Sequence, residues 1–447
     1  MNRRTFIAQS SAVGLTVPFV LTADQLQQGT SKKDVASTSE YIWSGAVTPT
    51  SARVTVKMTE PPLPKPKDAK DKPVLPTPMM RLAVSEKPDL AGAIETSEQM
   101  AAPWNDYTAT FDLAGLKPLT TYYYGVVVAD QPIKSLRGKF RTFPVGRANF
   151  QVAFASCAQT GSKNKVFETI LAHEPAAFIH MGDFHYENIS KIDSAKRRQA
   201  YAKVHSSPVQ AALYRSTPIA YMWDDHDYLG NNTGGISPAG VEARLTYQHC
   251  VPHYPLALGG GNVPIAQAFS LGRVRFILTD LRSARQKTTM MGEPQKKWFK
   301  AELLAAQKDH GLIVWVCTMP WIGKADAKKE LDYWAKYPDE RRELANFLKE
   351  HGIHNLCILS GDSHMLAIDE GKNADYADGG GAPIPVFQAA ALDNNGSVKG
   401  GPYSKGTFPG PGQFGVMTIT DNGSKINVAW SGRNAADQEV VAHSFIV

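Results

Sequence analysis

The chain has 447 residues, 43% apolar, 20% charged and 9% aromatic, which excludes collagen-like, coiled-coil and wholly disordered chains. Its 48 basic and 42 acidic residues leave a formal charge of +6, suited to anionic substrates and short of a nucleic-acid-binding footprint. No apolar run reaches the ~18 residues of a membrane span, and 4 scattered cysteines do not make a disulfide scaffold.

Residues 1–23 begin Met-Asn-Arg-Arg-Thr-Phe-Ile, and Arg3-Arg4 ahead of a weakly apolar stretch resembles a twin-arginine signal peptide. The pair predicts export by the twin-arginine translocase to a periplasmic or secreted destination, and the stretch is too polar and short to serve as a stable membrane anchor. Residues 24–39 are polar and rich in Ser, Thr and Lys, a flexible leader.

Residues 40–146 read as a small all-β domain. Period-two alternation at 52–57, 107–112 and 139–143 predicts strands. Leu116-Lys-Pro-Leu-Thr-Thr-Tyr-Tyr-Tyr124 places a turn before an aromatic strand and resembles the tyrosine-corner stretch of fibronectin or immunoglobulin-like sandwiches. Prolines and lysines at 60–78 predict an exposed excursion between strands. Nothing in this region has catalytic spacing, so it reads as a structural or docking module.

From 147 to 447 the pattern becomes α/β. Apolar runs at 150–155, 177–181, 218–222, 313–317 and 355–359 predict buried strands. Amphipathic stretches at 164–173, 194–205, 295–307 and 339–351 predict helices between them. Residues 269–280 and 415–430 add antiparallel pairs, the second turning at Asp421-Asn-Gly423. Lys196-Arg197-Arg198 reads as a solvated helix face, with guidance of phosphate as the sharper alternative.

Ligands of open α/β sheets gather at the carboxyl ends of strands. Here the strand ends carry Ser156-Cys157, Gly182-Asp183-Phe-His-Tyr186, Trp223-Asp-Asp-His-Asp227 and Ser360-Gly-Asp-Ser-His364. Unpaired carboxylates so placed repel one another, and bound cations cancel that repulsion.

This order resembles the calcineurin-like metallophosphoesterases, in the version of their alkaline phosphatase D (PhoD-like) branch. Gly182-Asp183-x-x-Tyr186, Trp223-Asp-Asp-His226 and Gly361-Asp-x-His364 carry the likeness, with Asp280-Leu-Arg282, Arg285 and Gly292-x-x-Gln295-x-x-Trp298. The resemblance implies an αββα sandwich behind the β domain and metal-dependent hydrolysis of phosphomonoesters or phosphodiesters by a metal-bridging hydroxide. Asp183 would bridge two cations. Cys157, Tyr186 and His364 would complete one site, Asp225 and Asp362 the other. Thiolate, phenolate and imidazole favour Fe³⁺, and a carboxylate site favours Ca²⁺, with Zn²⁺ or Mn²⁺ as substitutes. His226 would assist the leaving group, and Arg282 or Arg285 would neutralise a phosphate oxygen or form a surface ion pair.

Three departures stand beside this. The family's histidine after the fifth strand is replaced by Cys317-Thr-Met-Pro-Trp321, leaving the second site's coordination incomplete. Asp183-Phe-His185 also fits an Asp-x-His motif in another register, otherwise leaving His185 as a supporting or substrate contact. Cys157 is a ligand or half of a disulfide, while Cys317 and Cys357 lie in strands as inert thiols. Asp224 and Asp227 would support the ligands or hold a further cation. Two other classes remain, an exported wall- or ligand-binding protein with structural metals and an iron oxidoreductase.

Overall fold

In the strand Leu312–Cys317, Leu312, Val314 and Val316 enter one apolar cluster while Ile313, Trp315 and Cys317 enter another. A near-continuous apolar run buried on both faces is the signature of a covered parallel strand. One face meets Phe299 and Leu303 of helix Glu293–Asp309 and Leu344 and Leu348 of helix Pro338–Glu350. The other faces a second sheet, where Phe154 and Trp430 approach Phe387 with ring centroids 5.0 and 5.3 Å apart. Helices Val166–Ala172 and Pro208–Ser216 pack on that second sheet through Phe167, Ile170 and Tyr214, the last stacked on Phe178. Helices therefore flank two stacked mixed sheets, the sandwich expected.

This computed structural model describes residues 40–59, 79–326 and 331–447. The signal segment, the leader and the excursion at 60–78 lie outside the described residues. All described residues fall in one compact unit.

The first sheet has the order Gln267–Leu271, Val274–Thr279, Leu312–Cys317, Leu356–Ser360, Val386–Ala389, Met365–Asp369, Thr407–Pro409. The nine-stranded second sheet places Phe150–Ala155, Ala177–Met181 and Ile219–Met222 side by side in parallel register. It then continues into Tyr41–Gly45, Ser51–Lys57 and Thr108–Ala114, through a parallel pairing of Gly45 with Ile219. These three strands and a five-stranded sheet containing Met79–Ser85, Thr121–Val128 and Gln131–Arg141 form the small β-sandwich. Its tyrosine corner is formed: the Lys117 N–H donates to the Tyr122 hydroxyl at 3.0 Å. Tyr124 Oη donates to Arg215 O, and Trp43 Nε1 to Cys250 O, each at 3.0 Å. The change of pattern near 146 is thus spanned by one continuous sheet and by these two hydrogen bonds.

Beside the four-residue helix Asp225–Tyr228, periodicity overlooks the longer helices Pro208–Ser216 and Pro238–Cys250. Each opens on Ser-Pro, with Ser207 and Ser237 accepting the Gln210 and Gly240 N–H groups at 3.3 and 3.0 Å. The basic cluster at 196–198 is not a uniformly solvated face. Arg197 is buried and donates to the carbonyls of Tyr228, Ile189 and Ala239, tying the loop at Ile189 to two helices.

Candidate metal centre

Cys157 follows the strand Phe150–Ala155, Asp183 follows Ala177–Met181, Asp224 and Asp225 follow Ile219–Met222, and Asp362 follows Leu356–Ser360. Cys157, Asp183 and Asp362 have φ of 64°, 54° and 63°, a conformation costing a non-glycine residue about 1–3 kcal/mol. Three such residues meeting at Cys157 Sγ point to a constraint that packing alone does not impose. The glycines beside them permit the approach. A Cβ at Gly182 would lie 2.3 Å from Asp224 Cβ, and one at Gly361 would lie 2.7 Å from Ser156 Oγ.

The first cluster joins four expected residues. Asp183 Oδ2 accepts from Tyr186 Oη at 2.8 Å and from Cys157 Sγ at 3.4 Å, and Tyr186 Oη lies 3.4 Å from His364 Nε2. His364 Nδ1 sits 2.7 Å from Asn395 O. A carbonyl only accepts, so Nδ1 carries the proton and Nε2 presents its lone pair. Burial, then the charges of Asp225 and Asp224, push the Asp183 carboxyl up. Burial and Asp183 likewise raise the Cys157 thiol and the Tyr186 phenol. Asp183 Oδ1 is buried without a hydrogen-bond partner, an arrangement costing about 1–3 kcal/mol. One cation would satisfy that oxygen, offset the repulsion and draw protons from sulfur and phenol. The donor set fits a metal.

Next to it, oxygens of Asp183 and Asp225 and a ring nitrogen of His226 lie within 4.8 Å of one another, as do oxygens of Asp225, Asp332 and Asp362. Asp225 therefore belongs to both acidic groupings, and Asp183 to two of the three clusters. His226 Nδ1 lies 2.6 Å from Asn188 Oδ1, and its ring leans on Tyr186 with centroids 4.0 Å apart. Burial lowers the His226 pKa, partly opposed by Asp225. Asp227 accepts the N–H groups of Phe184, His185 and Asp224 at 2.8, 3.1 and 3.0 Å, tying two strand-end loops together.

Arg282 and Arg285 do not form the surface ion pair expected as the alternative to a phosphate contact; both side chains are largely buried. Arg282 is fully buried and donates to Asp224, and to Asp332 at 2.8 Å. Arg285 donates to the other Asp332 oxygen and to Met319 Sδ. Against the penalty of burial, the two guanidinium groups hold the Asp332 carboxyl well below the usual carboxylate range. Asp280 fixes this turn by accepting the Arg282 and Ser283 N–H groups at 2.9 and 3.0 Å. Gln295 in turn accepts the Asp280 N–H at 2.8 Å and donates to Asp280 O at 2.7 Å.

His185 joins none of the clusters among the described residues. It packs edge-on to Tyr201 at 5.7 Å, and burial pushes its pKa down to about 3. All 4 cysteines are free and buried. Cys317 Sγ donates to Met319 O at 3.1 Å and accepts from Trp334 Nε1 at 3.0 Å, which leaves it structural.

Sequence reasoning missed Asp332, Asn188, Asn395 and Lys399. Asn395 and Lys399 carry a weak signal, their place after the strand Val386–Ala389, whose four-residue run is too short to stand out. Asp332 had none, since it comes from a segment without regular structure.

Comparison with known proteins agrees with this geometry. The PhoD-like phosphatase model matches residues 152–400, and the model of the PhoD-like phosphatase N-terminal domain matches 20–144. Alkaline phosphatase D of Bacillus subtilis (strain 168) is 24% identical over 325 residues, covering 61% of this chain and 55% of that protein. The chain thus aligns with little more than half of that relative's length. The solved structure of PhoD superimposes with a TM-score of 0.72 at 18% identity, covering 91% of this chain and 89% of the other. The purple acid phosphatase PPD1 of yellow lupin (Lupinus luteus) gives 0.62 at 14% identity, covering 91% and 73%. At these identities the superpositions speak for the fold alone. The family model spans more than half of the chain and contains the converging strand ends, and the chain belongs to the PhoD-like phosphatase family.

Proposed function

We propose that this protein hydrolyses phosphate esters with two cations held at the convergent strand ends. The observation that carries the reading is Asp183, whose carboxylate takes part in two adjoining clusters and whose Oδ1 is otherwise unsatisfied. Cys157, Asp183, Tyr186 and His364 would hold Fe³⁺, because thiolate, phenolate and imidazole together favour a redox-capable transition metal. Asp183, Asp225 and Asp362 would hold Ca²⁺, a hard cation that prefers oxygen donors, with Zn²⁺ or Mn²⁺ as substitutes. When bound, such a pair supplies an activated water and Lewis-acid contacts to the phosphoryl oxygens.

The chain's own groups orient and move protons. Asn188 Oδ1 accepts a hydrogen bond from His226 Nδ1–H and sets the ring, leaving Nε2 to exchange a proton with the leaving-group oxygen. Arg282 and Arg285 act as positioning residues, fixing Asp224 and Asp332 at the rim of the acidic clusters. The names of the two relatives, an alkaline phosphatase and a purple acid phosphatase, support the same reaction class.

The same proposal assigns 1–23 to a signal peptide, 24–39 to a leader, 40–146 to the β domain and 147–447 to the catalytic domain. Export by the twin-arginine translocase to the periplasm or medium rests on Arg3 and Arg4. Among the described residues no helix is long and apolar enough to cross a membrane. Normal processing in cells lacking that translocase would contradict this route.

The test is reconstitution. Enzyme stripped of metal and reloaded with iron, calcium, or both is assayed on p-nitrophenyl phosphate and on bis-p-nitrophenyl phosphate. Stripping should abolish turnover, and the two metals together should restore it on one or both esters. Undiminished turnover by the metal-free protein, or none in any reloaded form, contradicts the reading.

A further inference from the structure

The loop after the strand Val386–Ala389 brings an ammonium group into the acidic cluster. Lys399 Nζ lies 2.8 and 3.0 Å from the two carboxylate oxygens of Asp362. Its loop is separately bonded to the Gly361-Asp-Ser-His364 segment. The Lys399 N–H donates to Ser363 Oγ at 2.8 Å, and the Ser397 N–H donates to His364 O at 3.1 Å. The Asn395 carbonyl of the same loop accepts a hydrogen bond from His364 Nδ1–H at 2.7 Å. One loop therefore aims an imidazole at the first cluster and occupies an acid of the second.

Arg282 and Arg285 already serve Asp224 and Asp332, and neither is bonded to Asp362. Among the described residues the ion-pair partner of Asp362 is Lys399. An ammonium astride both oxygens uses one lone pair on each and sets a positive charge in front of the carboxylate, so it competes with a cation approaching the same face. The Lys399 side chain is 33% exposed, whereas Asp362 is 4% exposed. The ammonium can thus swing toward water on its four-carbon stem without disturbing the backbone bonds of the loop.

We propose that Lys399 is the resident counter-ion of the second cation position, and that a divalent cation binds Asp362 by displacing its ammonium. This inference rests on the two-cation reading above. It makes the affinity of the second site the difference between two competing partners of one buried carboxylate. The lysine keeps Asp362 paired while the site is free of metal, and weakens metal binding in return, because coupling is reciprocal.

The experiment uses the full chain loaded with iron. Calcium is titrated by calorimetry into wild type, Lys399→Met and Asp362→Asn, and amine acetylation of Lys399 in wild type is followed by mass spectrometry with and without calcium. Lys399→Met should bind calcium about tenfold tighter or more, and saturating calcium should speed acetylation of Lys399 while other lysines react as before. Unchanged or weaker calcium affinity in Lys399→Met overturns the inference. So does tighter binding without any change in acetylation, which would mean that the lysine acts only through its field. Calcium that binds wild type through Asp362 but ignores Lys399 removes the displacement alone. A wild type and an Asp362→Asn variant that bind calcium alike would remove the two-cation reading with it.

Discussion

Asp183→Asn should lose both cations and lower turnover at least about a thousandfold, since bound metals supply several kcal/mol of transition-state stabilisation. The side chain changes little in volume, yet its charge is the one shared between the Cys157–His364 and Asp225–His226 groupings. The orphaned Oδ1 would become either an amide nitrogen or a neutral carbonyl oxygen, each a far poorer cation ligand than carboxylate. Elemental analysis and turnover on one preparation check this. A variant retaining both metals and most of its activity would show that Asp183 is not their common ligand.

His226→Ala should lower turnover by about 10²–10⁴, the usual range for a general acid or base, while keeping iron and calcium. The ring is held from one side by Asn188 and from another by Tyr186, so its removal leaves the carboxylate groupings in place. Near-normal turnover would remove His226 from the mechanism. Loss of one cation together with activity would instead make it a ligand, a role its place beside Asp183 and Asp225 allows.

The parts of this site legible in the sequence were those fixed to strands. Asp183, Asp225 and Asp362 each follow a short apolar run, and a run buried on both faces is recognisable without knowing its neighbours. What such runs cannot convey is which groups neutralise those carboxylates. The sequence context of Arg282 records nothing of Asp224 and Asp332, which reach it from distant segments. The pairing of Lys399 with Asp362 is hidden for the same reason: a lysine in a Gly-rich loop reads as solvated until the loop is seen folded onto His364. The β domain showed the converse. Its tyrosine corner is local and was readable, whereas the fusion of its strands to the catalytic sheet depends on the pairing of Gly45 with Ile219.

The visible spectrum of the purified enzyme, taken beside its metal content and repeated on Tyr186→Phe, bears most directly on the two unequal cations. Phenolate and thiolate bound to Fe³⁺ should give a charge-transfer band. A calcium-selective chelator should abolish activity and leave that band, and Tyr186→Phe should shift or bleach it. A fully active preparation that is colourless, free of iron and spectrally unchanged by Tyr186→Phe would contradict the assignment.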